Sequence, residues 1–216
     1  MNHPIGLVIF DCDGVLVDTE PLAARINIAI GAELGWPLTE AEVIDQFNGR
    51  SAKAISDMIA ARLGPHVAAI WAERFERAHR QEVETTLTPV EGIAGALDLI
   101  TYPTCVASSG THDKMRRTLG RTGLYQRFQG RIYSATEVAR SKPAPDLFLY
   151  AAAKIGVPAT ACVVVEDSPP GVQAARAAGM RCLGYAGGLT PADRLEGPNT
   201  FVFDNMEKLP VLLDAL

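Results

Sequence analysis

Apolar residues fall along this chain in two rhythms. Short consecutive runs occupy residues 5–10, 104–107, 131–133, 162–165, 181–185 and 200–203. Runs of that length, rich in branched side chains, predict strands buried on both faces of a parallel sheet. Between them apolar positions recur every three or four residues, predicting helices over 93–100, 112–120, 145–155, 171–178 and 207–216. Strand and helix in alternation imply an α/β fold, a Rossmann-like parallel sheet with helices on both faces and right-handed crossovers.

The alternation is interrupted after the first strand. From Pro21 to about Glu84 the pattern is helical only, with Ala23, Ile26, Asn27, Ile30 and Leu34 at helical spacing and Gly35 with Pro37 ending that helix. Thr39 followed by Glu42 has the form of a capping box. Ser51 is placed to cap a third helix over 52–63, Gly64-Pro65 breaks it, and a fourth runs over 65–83. Four helices with no sheet of their own are too few for a comfortable independent domain. They predict an inserted α-helical cap over residues 18–87, packed on a core built from 1–17 and 88–216.

Composition narrows the function classes. The 216 residues are 48% hydrophobic, enough for a sizeable core, and the net charge of −5 with pI near 5.4 leaves no basic footprint for nucleic acid. With no positively charged leader and no apolar run of spanning length, a soluble cytoplasmic protein without membrane contact is expected. Cys12, Cys105, Cys162 and Cys182 form no C-x-x-C pair and read as buried reduced thiols. If the pleat continues, Cys12 points away from its two neighbouring aspartates.

The candidate chemistry follows the strand ends. Asp11 and Asp13 stop the first apolar run, at the sheet edge where α/β ligands bind, and Gly14 turns the chain away. Two carboxylates so close repel unless a hard cation lies between them, which predicts Mg²⁺. Ser108-Ser109-Gly110-Thr111 follows the second strand, Ser141-Lys142-Pro143 closes the loop after the third, and Glu166-Asp167-Ser168 follows the fourth. Each has a plainer use: helix capping for the hydroxyls, a solvated loop for Lys142, and a charged N-cap for Glu166 and Asp167. Their coincidence on one rim of a parallel sheet favours a shared site. His3, His66, His79 and His112 lack ligand-spaced partners, and His112 stands beside the serines, placed to see a substrate.

In order and spacing, Asp11-x-Asp13-Gly14 with Asp18-Thr19-Glu20, Ala107-Ser108-Ser109, Lys142-Pro143-Ala144-Pro145-Asp146 and Glu166-Asp167-Ser168 resemble the four motifs of the haloacid dehalogenase-like (HAD) superfamily. The likeness covers essentially the whole chain, and the helical insertion resembles the cap of the branch holding β-phosphoglucomutase and sugar-phosphate phosphatases. The resemblance implies Asp11 as nucleophile, Asp13 as general acid/base, Ser108 on the phosphoryl oxygens and Lys142 neutralising charge. It also implies Mg²⁺ held by Asp11, the Asp13 carbonyl and Asp167, with Glu166 close behind. Asp13 would need a raised pKa to release the alkoxide and then activate water.

Departures from the branch bear on the reaction. The mutase histidine position is Ala23, and Ala52 stands where a cap arginine would, with Arg50 or Lys53 as substitutes. A mutase must shield its phospho-enzyme from water, so the chain reads as a phosphatase of a small phosphorylated metabolite, with a β-phosphoglucomutase-type mutase as alternative. A non-catalytic phospho-acceptor module fits less well, since such modules carry no cap after the first strand. A lid closing over the site suits a small molecule, and Ser109, Asn48, Arg50 and Lys53, with His79 or Arg80, are the candidate substrate contacts. A monomer is the default that the resemblance implies.

Overall fold

The computed structural model describes residues 4–216, so His3 and the first residues of the expected core lie outside the described residues. Six strands form one sheet: β1 (Leu7–Phe10), β2 (Thr104–Ser108), β3 (Ile132–Ser134), β4 (Cys162–Glu166), β5 (Arg181–Tyr185) and β6 (Thr200–Phe203). Their order is β3-β2-β1-β4-β5-β6, and every pairing is parallel. All four residues of β1 and all five of β4 are buried, as expected for strands covered on both faces. Strand order reverses between β1 and β4, and the crevice outside that reversal is where open α/β sheets bind ligands.

The sheet separates two apolar layers. Phe10, Val106 and Leu183 pack with Met115, Leu119 and Phe128 on one face, while Leu7, Ile9 and Val164 pack with Leu147, Phe148 and Ala174 on the other. The alternation of Leu7, Val8, Ile9 and Phe10 between these layers is the pleat of β1 made visible. The helices of the sheet region are α5 (Ile93–Leu99), α6 (His112–Arg121), α7 (Tyr125–Phe128), α8 (Asp146–Ile155), α9 (Pro169–Ala177) and α10 (Leu209–Asp214). The single turn α7 was not expected, because four residues carry no helical periodicity. Its buried Phe128 seals β1, with ring centroids of Phe10 and Phe128 6.0 Å apart. The expected helix over 207–216 is shorter, its first turn being a 3₁₀ segment at Met206–Lys208.

The insertion comprises α1 (Glu20–Leu34), α2 (Glu40–Phe47), α3 (Ala52–Leu63) and α4 (Pro65–Thr86). Thr39 and Glu42 form the capping box in full, and Ser51 accepts from the Ala54 N–H. A separate apolar cluster holds these helices together around Trp36, Phe47, Ile59 and Trp71. Trp36 and Phe47 meet edge to face at 5.7 Å, and the Trp71 indole N–H is satisfied by Asn27 Oδ1 at 2.9 Å. The two connections to the sheet region are stitched side by side: the Asp18 N–H donates to the Thr88 carbonyl, and the Val90 N–H to that of Leu16. Among the described residues no helix is long and apolar enough to cross a membrane.

Candidate active site

β1 delivers Asp11 and β4 delivers Glu166 and Asp167 to either side of the sheet reversal, and the loop after β3 brings Lys142 between them. The Lys142 Nζ donates to Asp11 Oδ1 at 2.5 Å and to Glu166 Oε1 at 2.6 Å. Lys142 is 4% exposed and lies over the Phe148 ring. Burial alone would lower its pKa, but the two carboxylates outweigh that and raise it, so it stays charged. Asp11 moves the other way: burial pushes its carboxyl up to about 7, against the opposing pull of Lys142.

Asp13 differs from the expectation. Its carboxylate accepts from the Thr19 hydroxyl at 2.6 Å and from Lys114 Nζ at 2.7 Å. Burial would raise its pKa, but the Lys114 ammonium and these two hydrogen bonds lower it. The raised pKa expected for a general acid is therefore absent, because α6 supplies a cation that the sequence reading missed. Lys114 stands one turn into α6, three residues after the Thr111 cap whose hydroxyl accepts its N–H. Its spacing after the serine cluster was the available signal.

Two further carboxylates complete the floor. Asp167 is 2% exposed and its Oδ2 has no partner; burial first, then the nearby Glu20 charge, raise its pKa well above the ordinary range. Glu20, the first residue of α1, is also buried, with Oε1 unpartnered and Oε2 facing the Leu189 N–H at 3.4 Å. Gly14, at φ +76°, gives these carboxylates room, since a Cβ there would lie 2.1 Å from Asp167 Oδ2. Glu166 is committed instead: Oε2 accepts from the Ser168 N–H and hydroxyl, both at 2.8 Å, while Oε1 holds Lys142. No group of three or more His, Cys, Asp and Glu side chains among the described residues is already gathered around one metal position.

The insertion sits closed on this floor, over a cavity of about 260 Å³. Ser109 donates its hydroxyl to the Gly49 carbonyl at 3.2 Å, and Asn48 donates to the Thr190 hydroxyl at 3.0 Å. Ser108, 1% exposed, lines the cavity with Asp11, Asp13 and Asp167, and its oxygen accepts from the Gly110 N–H. Asn48, Arg50, Ser109 and His79 also line it. Lys53 does not: it pairs with Asp57 one turn on at 2.6 Å, with 84% of its side chain exposed, because its position on α3 faces solvent. Arg80 likewise pairs outward with Glu76. His112 lies outside the cavity against Glu137 at 2.9 Å. All four cysteines are buried thiols, and Cys12 turns into the apolar layer near Thr118, away from both aspartates.

A parallel α/β core with a carboxylate pair, a buried lysine and a helical insertion closing over them defines a capped hydrolase of the class the motifs suggested. The chain belongs to the haloacid dehalogenase-like hydrolases, whose family model matches residues 5–179. It is 32% identical over 213 residues to the 6-phosphogluconate phosphatase of Escherichia coli K12, spanning 98% of this chain and 96% of that one. Among solved structures, a haloacid dehalogenase-like protein of unknown function from Agrobacterium tumefaciens superposes with TM-score 0.84 at 36% identity, covering 98% of each chain. A family hydrolase from Deinococcus radiodurans, solved with bound phosphate and sodium, gives 0.75 at 29% identity, covering 98% and 96%. The expected enzyme class, a phosphoric monoester hydrolase, agrees with relatives that are named as phosphatases.

Proposed function

We propose that this chain is a Mg²⁺-dependent phosphatase that hydrolyses a small phosphorylated metabolite, a sugar phosphate or similar, through an aspartyl-phosphate. The observation that carries the reading is the buried Asp11–Lys142–Glu166 bridge, whose Asp11 lines the cavity beneath the insertion. A carboxylate attacking an anionic phosphoryl group needs nearby positive charge, and Lys142 supplies it while staying protonated. Asp11 attacks phosphorus as the ester oxygen leaves and takes a proton from Asp13. Ionised Asp13 then draws a proton from the water that cleaves the acyl phosphate, regenerating Asp11.

The lowered pKa of Asp13 suits the second half of that cycle. Phosphoryl oxygens entering beside Lys114 compete with Asp13 for the ammonium, and as they take it the carboxyl loses the charge that depresses its pKa. The donor set also suits Mg²⁺: Asp167 is buried with an unpartnered oxygen and a strongly raised pKa, a cost that a bound cation would relieve. Asp11, the Asp13 carbonyl and Asp167 would hold the ion, with Glu166 behind them as the anchor of Lys142. Bound there, Mg²⁺ neutralises charge on nucleophile and phosphoryl group.

Residues 18–87 act as the cap, and its closure favours a small molecule over a phosphoprotein. Ala23 lines the cavity and brings no imidazole from α1, which supports phosphatase over β-phosphoglucomutase-type mutase. Phosphate release from a panel of phosphorylated sugars and sugar acids, with Mg²⁺ and with EDTA, tests the proposal. Release is expected only with Mg²⁺ and not from Asp11→Asn. An Asp11→Asn protein turning over near the wild-type rate would falsify it, and interconversion of β-glucose 1-phosphate with glucose 6-phosphate would favour the mutase.

A further inference from the structure

The cavity has two unlike halves. Its floor is charged, as described, but the wall opposite is built by α1–α4 from Ala23, Phe47, Ile59, Trp71, Ala72 and Phe75. The periodicity of α4 explains this face: Ala68, Trp71, Ala72, Phe75 and His79 recur at three- and four-residue steps and all look onto the cavity. Most polar groups on this wall are spent, those of Ser56 on α3 and Arg50 excepted. Asn27 donates to the Ala23 carbonyl and accepts from Trp71. Glu76 accepts from Arg80 and Arg117, and Asn48 is turned to Thr190. Arg50 is exposed at the rim.

One buried polar atom on α4 is left over. His79 is 1% exposed, stacked on Phe75 with ring centroids 5.4 Å apart, and its Nε2 has no partner. It lies at the junction of α4 with α6, close enough to Lys114 and Asp13 to feel both charges. An unsatisfied ring nitrogen at such a position costs free energy unless something docks against it.

We propose that the cavity selects a phosphate monoester whose alcohol presents a mainly apolar body and a single hydrogen-bonding group, which His79 Nε2 engages, over a fully hydroxylated sugar or sugar acid. The inference rests on the phosphatase reading and narrows its substrate class. A row of hydroxyls laid along Phe47, Ile59 and Trp71 would exchange water for groups that cannot hydrogen-bond, and each unpaired hydroxyl weakens recognition. An aryl, alkyl or deoxygenated body loses nothing there. His79 is thus assigned as a specificity residue that touches the substrate near the end where Asp13 protonates the leaving oxygen.

The test measures kcat and KM of the full-length protein with Mg²⁺ on matched monoesters: phenethyl phosphate, 2-phenoxyethyl phosphate, 2-deoxyribose 5-phosphate, ribose 5-phosphate, sorbitol 6-phosphate and 6-phosphogluconate. The deoxygenated and aryl members are expected to exceed the fully hydroxylated ones in kcat/KM by about ten-fold or more. The ether oxygen of the phenoxyethyl ester should lower KM relative to the phenethyl ester in the wild type. That advantage should vanish in His79→Phe and return in part in His79→Gln, with melting temperatures reporting that both variants fold. Preference for the polyol esters overturns the inference and leaves the phosphatase standing. Loss of the ether advantage in neither variant overturns the role of His79. If no ester, p-nitrophenyl phosphate included, releases phosphate, the phosphatase reading itself fails and the inference with it.

Discussion

Replacing Lys142 by Met keeps most of the apolar stem and removes the ammonium that joins Asp11 to Glu166. The bridge is nearly sealed, with side-chain exposures of 1% for Lys142, 9% for Asp11 and 1% for Glu166. Removing one partner of such a buried pair costs about 3–5 kcal/mol, mostly because charge is left uncompensated. Asp11 already titrates at about 7 with Lys142 present, and without that opposing cation its pKa rises further. A native carboxyl with a raised pKa binds a proton that the unfolded chain releases, so stability grows as pH falls. This relief begins at higher pH in the variant than in the wild type. The gap between them is therefore widest under alkaline conditions and narrows below neutrality, towards the ~2 kcal/mol net worth of lost hydrogen bonds to a charged group. Urea unfolding in EDTA at pH 8.5 and 5.5 measures both ends. At pH 8.5 the expected loss also lowers Tm by about 10 °C. A gap that is the same at both pH values, or below about 1 kcal/mol at pH 8.5, refutes the reasoning. Turnover in Mg²⁺ should fall by about 10²–10³, as for loss of one preorganised charge contact.

Asp13→Asn should lose turnover while retaining inorganic phosphate binding, because Lys142 and Ser108 are untouched; isothermal titration reads this, and loss of phosphate binding would place Asp13 in the anion site instead. Gly171→Ala puts a Cβ 1.8 Å from the Glu166 carboxylate, which is locked by Lys142 and Ser168. It should destabilise the protein by about 1–3 kcal/mol and weaken activity together, and an unchanged unfolding midpoint would show that Glu166 can move freely. Burial, with Lys114 and Arg117 against Asp13 and Glu76, holds the His79 pKa down at about 4. Since the unfolded chain takes the proton first, wild-type stability should drop as pH falls from about 6.5 to 4, by at most ~3 kcal/mol more than that of His79→Gln. Parallel pH profiles for the two proteins would contradict a buried neutral imidazole.

The sequence by itself determined the parallel core, the place of the four inserted helices with the caps at Thr39 and Ser51, and the residues at the β1 and β4 ends. The reason is local: buried strands, capping boxes and Gly-Pro breaks each act within a few positions. Asp11, Ser108, Lys142 and Asp167 were legible because all C-terminal strand ends share one rim, so topology alone brings them together. Only the tertiary structure decided which helix faces meet across that rim. Docking of α6 beside β1 turns Lys114 onto Asp13 and reverses the expected direction of its pKa. The orientation of α3 sends Lys53 to solvent, while that of α4 buries His79 in the cavity. Periodicity shows that a helix has two faces, but the rotation and approach of separate helices are set by long-range packing around Trp36, Phe47 and Trp71, which no short stretch of sequence contains.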